Sequence, residues 1–238
     1  SKDFTVNGGD VTGDGTINLT GGTFLLDGAG NFGGATDWTF YTLTFGDGAG
    51  VTTTSSTGAN SITVSNDMSV ATNQTLAGSK DFTVNGGDVT GDGTINLTGG
   101  TFLLDGAGNF GGATDWTFYT LTFGNGAGVT TTTSTGAGGI TVSNVLTIAA
   151  NQELNAGSKT WTLSGSGTPF LINGTFTPST STFKYIGTAD TNITATTYNN
   201  LEAGPNNINW TTSYDTTEVR IRSLTFDSTN NVIYAGSG

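Results

Sequence analysis

Residues 1–46 of this chain recur without a change as residues 79–124, and a diverged third copy opens at Ser158 with SKTWTLSGSG. Exact internal repetition with a period of 78–79 residues limits the fold more than any single motif does. Each unit must bury its apolar face against its neighbours. The chain therefore reads as one continuous body with units at 1–78, 79–157 and 158–238,. Repetition bears on function too. A catalytic constellation is needed once, whereas a rod, a scaffold or a periodic surface gains from copies.

A shorter phase lies inside the long one. The pattern apolar–x–apolar followed by turn formers occurs at Phe4-Thr5-Val6, Phe24-Leu25-Leu26, Leu43-Thr44-Phe45, Ile62-Thr63-Val64 and Phe82-Thr83-Val84, in steps of 20, 19, 19 and 20 residues. Alternation over three to five positions marks a half-buried strand. Asn-Gly, Asp-Gly and Gly-Asp supply the positive-φ corners between strands. The expected fold is all-β, a right-handed parallel β-helix (β-solenoid) with coils of about 19–20 residues and four coils per repeat. Twelve such coils would make a rod roughly 55–60 Å long at the usual strand spacing. In this reading Phe4, Phe24, Leu43 and Ile62 share one inward ladder, and Ile17/Leu19, Trp38/Phe40, Val51 and Val70 lie on a second strand of each coil. A sandwich or barrel uses the same short strands, but hairpin folds do not require a fixed phase.

Composition fits that class and narrows the partners. Thr and Gly number 50 and 39 of 238 residues, and no stretch has helical apolar periodicity,. Phased aromatics, 14 Phe among them, supply a core that a Gly-rich linker lacks,. Eighteen acidic against six basic residues give a net charge of −12 with no basic cluster, which disfavours nucleic acid and anionic membrane surfaces,. No apolar run is long enough to predict membrane insertion. Cys and His are both absent. That removes disulfides, thiolate metal sites, the Ser–His and Cys–His nucleophile pairs and the usual imidazole base. The acids are scattered, one set per repeat, and Arg220 and Arg222 read as a solvated strand face beside Glu218. The sequence thus predicts no enzyme and no catalytic, cofactor or metal residue.

The runs ITVSNVLTIAANQELNAGSKTWTLSGSG (140–167) and GTFTPSTSTFKYIGTADTNITATTYNNLEAG (174–204) resemble repeats of large bacterial surface β-helix proteins. These are adhesin-like and similar to solenoids of the filamentous-haemagglutinin type. The resemblance covers the third copy. It reaches the first two in altered form, with Phe40-Tyr41-Thr42-Leu43 in place of Tyr198-Asn199-Asn200-Leu201. It implies an extracellular or cell-surface microbial location and a stalk, fibre or adhesive role. It carries over no catalytic residue.

Four surface features are candidates for binding. Gly9–Asn18, repeated at Gly87–Asn96, resembles the start of a dockerin-type calcium loop, with Asp10, Thr12 and Asp14 at the first ligand positions and Gly15 at the turn. The twelfth position is Gly21 rather than a bidentate acid, and Ile17-Asn18-Leu19 alternates like a strand. The expectation is an acidic solenoid corner, with calcium at Asp10, Asp14, Asp88 and Asp92 as the alternative. Trp38, Trp116, Tyr41 and Tyr119 are candidates for stacking on glycans, against core packing. Thr-x-Thr rows at Thr42/Thr44, Thr120/Thr122 and Thr160/Thr162 allow an ice-binding reading, interrupted by Leu25 and Leu103. Six Asn-x-Thr triplets begin at Asn18, Asn73, Asn96, Asn173, Asn192 and Asn209,. Finally, the chain opens in mid-pattern, and Asn230–Ser237 echoes Asn73–Ser79. Self-association end to end, or continuation in a longer array, is the expected partnership.

Overall fold

The structure, a computed structural model, describes residues 2–204, 210–212 and 220–226. Every described element is a strand, and every strand pair is parallel. The strands stack into three sheets, forming a β-solenoid of about nine coils of roughly 22 residues. The first face holds nine strands from Phe4–Val6 to Thr175–Thr177, and the second eleven from Val11–Gly13 to Arg220–Phe226. The third holds seven from Trp38–Phe40 to Phe170–Ile172. A short pair, Thr191–Ile193 with Trp210–Thr212, completes the described strands.

Alternation places the core where the sequence requires it. Within Thr23–Leu26, Phe24 and Leu26 are buried while Thr23 and Leu25 are only half-buried. Trp38, Phe40, Ile62, Val64, Phe82 and Phe102 follow the same rule. The rings stack along the axis: Phe110 on Trp161 at 6.5 Å and Trp161 on Phe183 at 5.8 Å, each pair within 16° of parallel. Phe102 meets Phe118 at 5.0 Å across the interior. Such pairs add about 0.5–1.5 kcal/mol each beyond burial of their area.

The coil is longer than the 19–20 residues read from the apolar phase, and the ladders are correspondingly rearranged. Phe4, Phe24 and Leu43 do align, but Leu43 pairs with Met68, not with Ile62. Ile62 lies between Trp38 and Phe82 on another face. The apolar–x–apolar motif marks inward strands on all three faces alike. Register is set instead by corner length. Tyr41 alone separates Trp38–Phe40 from Thr42–Phe45, whereas six residues separate Thr42–Phe45 from Thr52–Ser56. Val51, expected inside, closes that longer corner and is 87% exposed.

The repeat is consequently out of step with the coil. The second copy contains eleven strands, from Phe82–Val84 to Gln152–Asn155. Eleven strands on three faces make about 3⅔ coils, not four. Identical sequences therefore occupy different faces. Phe4–Val6 lies on the first face and Phe82–Val84 on the third; Gly30–Gly34 lies on the second and Gly108–Gly112 on the first. Each copy is advanced about 18 Å along the axis at ~4.8 Å per coil and turned by one face.

Candidate interaction surfaces

The acidic corners have a defined structural task. Asp3, Asp10, Asp37, Asp81, Asp88 and Asp115 each accept, through Oδ1, the backbone N–H of a residue one coil further on, at 2.6–2.8 Å. A corner carbonyl or carboxylate that satisfies an otherwise unpaired N–H acts as an N-cap does on a helix. The Ser61 N–H, followed by its hydroxyl, holds the Asp37 carboxyl below the usual range, with Lys80 adding a smaller attraction. Much of the negative charge thus belongs to the architecture.

The calcium candidates divide on this basis. Asp10 and Asp88 already receive Asn31 N–H and Asn109 N–H, each at 2.8 Å. Asp14 and Asp92 are exposed on the turns that follow. Among the described residues no three acidic side chains gather into a metal-sized group.

The glycan-stacking candidates separate cleanly. Trp38 and Trp116 are 2% and 0% exposed, so they belong to the core. Each indole N–H donates to a carbonyl of the preceding coil, Gly15 at 2.8 Å and Gly93 at 2.9 Å. Tyr41 and Tyr119 remain 41% exposed at one-residue corners. They occupy different edges of the rod, the first between the third and first faces, the second between the second and third.

The longer corners repeat in the same way. Asp47 Oδ1 accepts Ala49 N–H and Asn125 Oδ1 accepts Ala127 N–H, both at 2.7 Å, so either residue closes the turn. Asn73 and Asn151, at φ of 65° and 63°, brace the loops by donating to Gly48 O at 3.2 Å and Gly126 O at 2.9 Å. Asn73 is one of the Asn-x-Thr positions, and its amide is committed to this brace. Asn18, Asn96 and Asn173 are exposed, while Asn192 Nδ2 donates to Thr168 Oγ1 at 3.1 Å. Asn209 and Glu218 lie outside the described residues. For Arg220 and Arg222, the structure describes the strand Arg220–Phe226, paired with Thr197–Ala203.

The threonine rows are divided between faces. Thr42/Thr44 stands on the first face, Thr120/Thr122 on the third and Thr160/Thr162 on the second. On the third face Thr39, Thr63 and Thr83 align, and Leu103 follows them in the same column. A shallow groove of about 320 Å³ on the second face is lined by Asp115, Gly139, Thr141, Thr160 and Thr162 among others.

Sequence reasoning missed a set of buried polar side chains inside the rod. Lys80 and Lys159 are only 4% and 3% exposed. Lys159 Nζ donates to Gly136 O at 3.1 Å and Gly138 O at 2.6 Å, and Lys80 Nζ reaches Gly34 O at 3.5 Å. Burial pushes both amines below the usual lysine value, against the pull of Asp37 and Asp81 on Lys80 and of Asp115 on Lys159. Gly111, at φ 126°, makes room for this: a Cβ there would lie 2.6 Å from Lys159 Cε. Gln74 and Gln152 are equally buried, and their Nε2 atoms donate to Thr54 and Thr132 Oγ1 at 3.0 and 3.1 Å. The signal was present. Lys80 shares parity with Phe82 and Val84, as Gln74 does with Leu76, so alternation alone points them inward.

These observations define a class, a β-solenoid repeat protein whose outer features recur face by face. No protein-family model, curated protein or solved structure matches the chain. No helix among the described residues is long and apolar enough to cross a membrane.

Proposed function

We propose that the chain is a non-enzymatic structural rod, a segment of an extracellular microbial surface fibre or stalk that propagates end to end. The observation that carries this reading is the continuous core. Apolar side chains from Phe24 to Ala203 form a single cluster through the described coils. Such a body resists bending, because each coil pairs its backbone with the next on three sides. The repeat-to-repeat turn supports a structural role as well, since corner features return on successive edges and suit a partner that surrounds the rod.

A second reading, adhesion to carbohydrate, is favoured by the half-exposed Tyr41 and Tyr119 alone. Their separation onto different edges makes each an independent site rather than one platform. An ice-binding surface is less favoured, because the threonine pairs do not share a face. Electron microscopy of purified protein and of surface material from the source cells tests the main reading. Rods one solenoid wide that lengthen by end addition are expected; short rods that never join, with no such fibre on the cells, would refute it. Binding to a glycan array that disappears in Tyr41→Ala/Tyr119→Ala would instead favour adhesion.

A further inference from the structure

An exact repeat poses a problem of register. Residues 1–46 and 79–124 are identical, and the strands Thr42–Phe45, Ile62–Val64 and Trp116–Phe118, one from each face, alternate buried and half-buried residues alike. A slip by one strand would set apolar residues over apolar residues again, and would turn everything beyond it by one face. Apolar burial has no direction, so it barely distinguishes the two stackings.

Both joints between copies carry the same buried polar set, on different edges of the rod. The first joint runs from Gln74–Gly78 on the second face to Phe82–Val84 on the third, and the second from Gln152–Asn155 on the first face to Thr160–Leu163 on the second. Lys80 and Lys159 stand at these corners, 4% and 3% exposed. Each stem reaches down two coils. A Cβ on Gly33 would lie 2.9 Å from Lys80 Cε, and one on Gly111 would lie 2.6 Å from Lys159 Cε. Gly33 belongs to Gly30–Gly34, which lies under Thr52–Ser56 and so under Gln74–Gly78. Gly111 belongs to Gly108–Gly112, under Thr130–Ser134 and Gln152–Asn155. The Lys80 amine ends 3.5 Å from Gly34 O, two coils below, and the Lys159 amine on Gly136 O and Gly138 O, one coil below. Gln74 and Gln152 add a bond each to the coil directly beneath, through Thr54 and Thr132 Oγ1.

We propose that Lys80 and Lys159 are register keys, which fix how the coils stack at the two joints. Each stem meets a glycine without a Cβ, and each amine meets backbone carbonyls, when three successive coils lie in the observed order. A slip by one strand removes the glycine and the carbonyls together. It leaves an amine buried without a partner, a penalty that the near-equal apolar contacts of the slipped stack do not offset. Buried polar groups of this kind select one arrangement against its competitors rather than adding stability. The set is the same at both joints although the edges differ, so the key works wherever a copy ends. This role goes beyond the rod reading and holds whatever the rod carries.

The test reads register directly, by electron double resonance on the full chain. One outward column of the third face runs from Thr39 through Thr83 and Thr122 to Leu171 and crosses both joints. Spin labels on Thr39→Cys/Leu171→Cys are thus six coil steps apart, or ~29 Å at ~4.8 Å per step. The otherwise unchanged chain should show that one distance. Lys80→Met, and Lys159→Met as an independent variant should the first fail to fold, keep an apolar stem and lose the amine. Each should show a second distance in roughly a tenth of the molecules or more. Phe82→Ala, which removes packing at the first joint and leaves the key in place, should melt lower and keep the single distance. A single distance in both Met variants, or failure of both to fold, would mean that the lysines only stabilise the joints and would overturn the proposal, leaving the rod reading intact.

Discussion

Truncating the same phenylalanine in two copies of one sequence isolates the contribution of the coil beneath it. Phe82 is fully buried and stacks on Phe102 at a centroid distance of 6.1 Å. Phe82→Ala removes both the transfer free energy of the ring and the packing around it, so it should cost about 3–5 kcal/mol. Phe4 leaves about half its surface in water. Its truncation forfeits only part of the transfer term and opens no enclosed cavity, which leaves about 1–2 kcal/mol. The expected gap is therefore about 2–3 kcal/mol, well above the error of a denaturation midpoint. The assay is equilibrium unfolding in urea at low micromolar concentration, where the chain is dilute, with near-ultraviolet circular dichroism and intrinsic fluorescence compared as probes. Equal losses for the two variants would refute the reasoning, because they would mean that the first coil is covered or that Phe82 is not.

Other consequences are open to direct measurement. Tyr198 OH donates to Thr194 O at 2.9 Å and lies 2.7 Å from Tyr185 OH, and burial pushes Tyr185 up to about 12 and Tyr198 well above 10. Both hydroxyls stay protonated in the fold after they would ionise in the unfolded chain. Stability should therefore hold below pH 10 and fall as pH rises from 10 towards 12, and Tyr185→Phe/Tyr198→Phe should flatten that decline in thermal melts. The buried Lys80 and Lys159 act with the opposite sign: their lowered values favour folding as pH rises towards 10.5,. Lys159→Met should erase part of that rise, and a profile identical to the parent's would contradict the buried amine. If Asp10/Asp14 and Asp88/Asp92 bind calcium, adding it should raise the melting temperature, and Asp14→Asn/Asp92→Asn should abolish the increase; a curve unmoved by calcium or chelator leaves these acids as corner groups.

The class of fold was legible in the residues, and its period was not. Alternation identified the inward side chains of Phe24–Leu26, Leu43–Phe45 and Ile62–Val64 correctly. It carried no information on which strand lies above which, because inward strands look alike on all three faces. That information resides in the corners, where a lone Tyr41 and the loop Gly46–Val51 give adjacent strands very different separations. Trp38 was legible in the same way, since it alternates with Phe40. Its N–H has a carbonyl partner in the coil below, which permits full burial,. The inward Lys80 obeyed the alternation, but a charged residue in phase with a core is read as an exception until the carbonyls that receive it are seen.

That the repeat is out of step with the coil can be measured by one distance. The chain contains no cysteine, so Val51→Cys/Val129→Cys can carry a pair of spin labels at equivalent corner positions, both 87% exposed. A coil of roughly 22 residues has a perimeter of ~70 Å at ~3.3 Å per residue, which puts neighbouring edges of a three-faced rod ~20–25 Å apart. Combined with an axial advance of ~18 Å, the separation by electron double resonance should be ~30 Å. A repeat of four whole coils would stack the two labels on one edge, and a distance near ~19 Å would contradict the account.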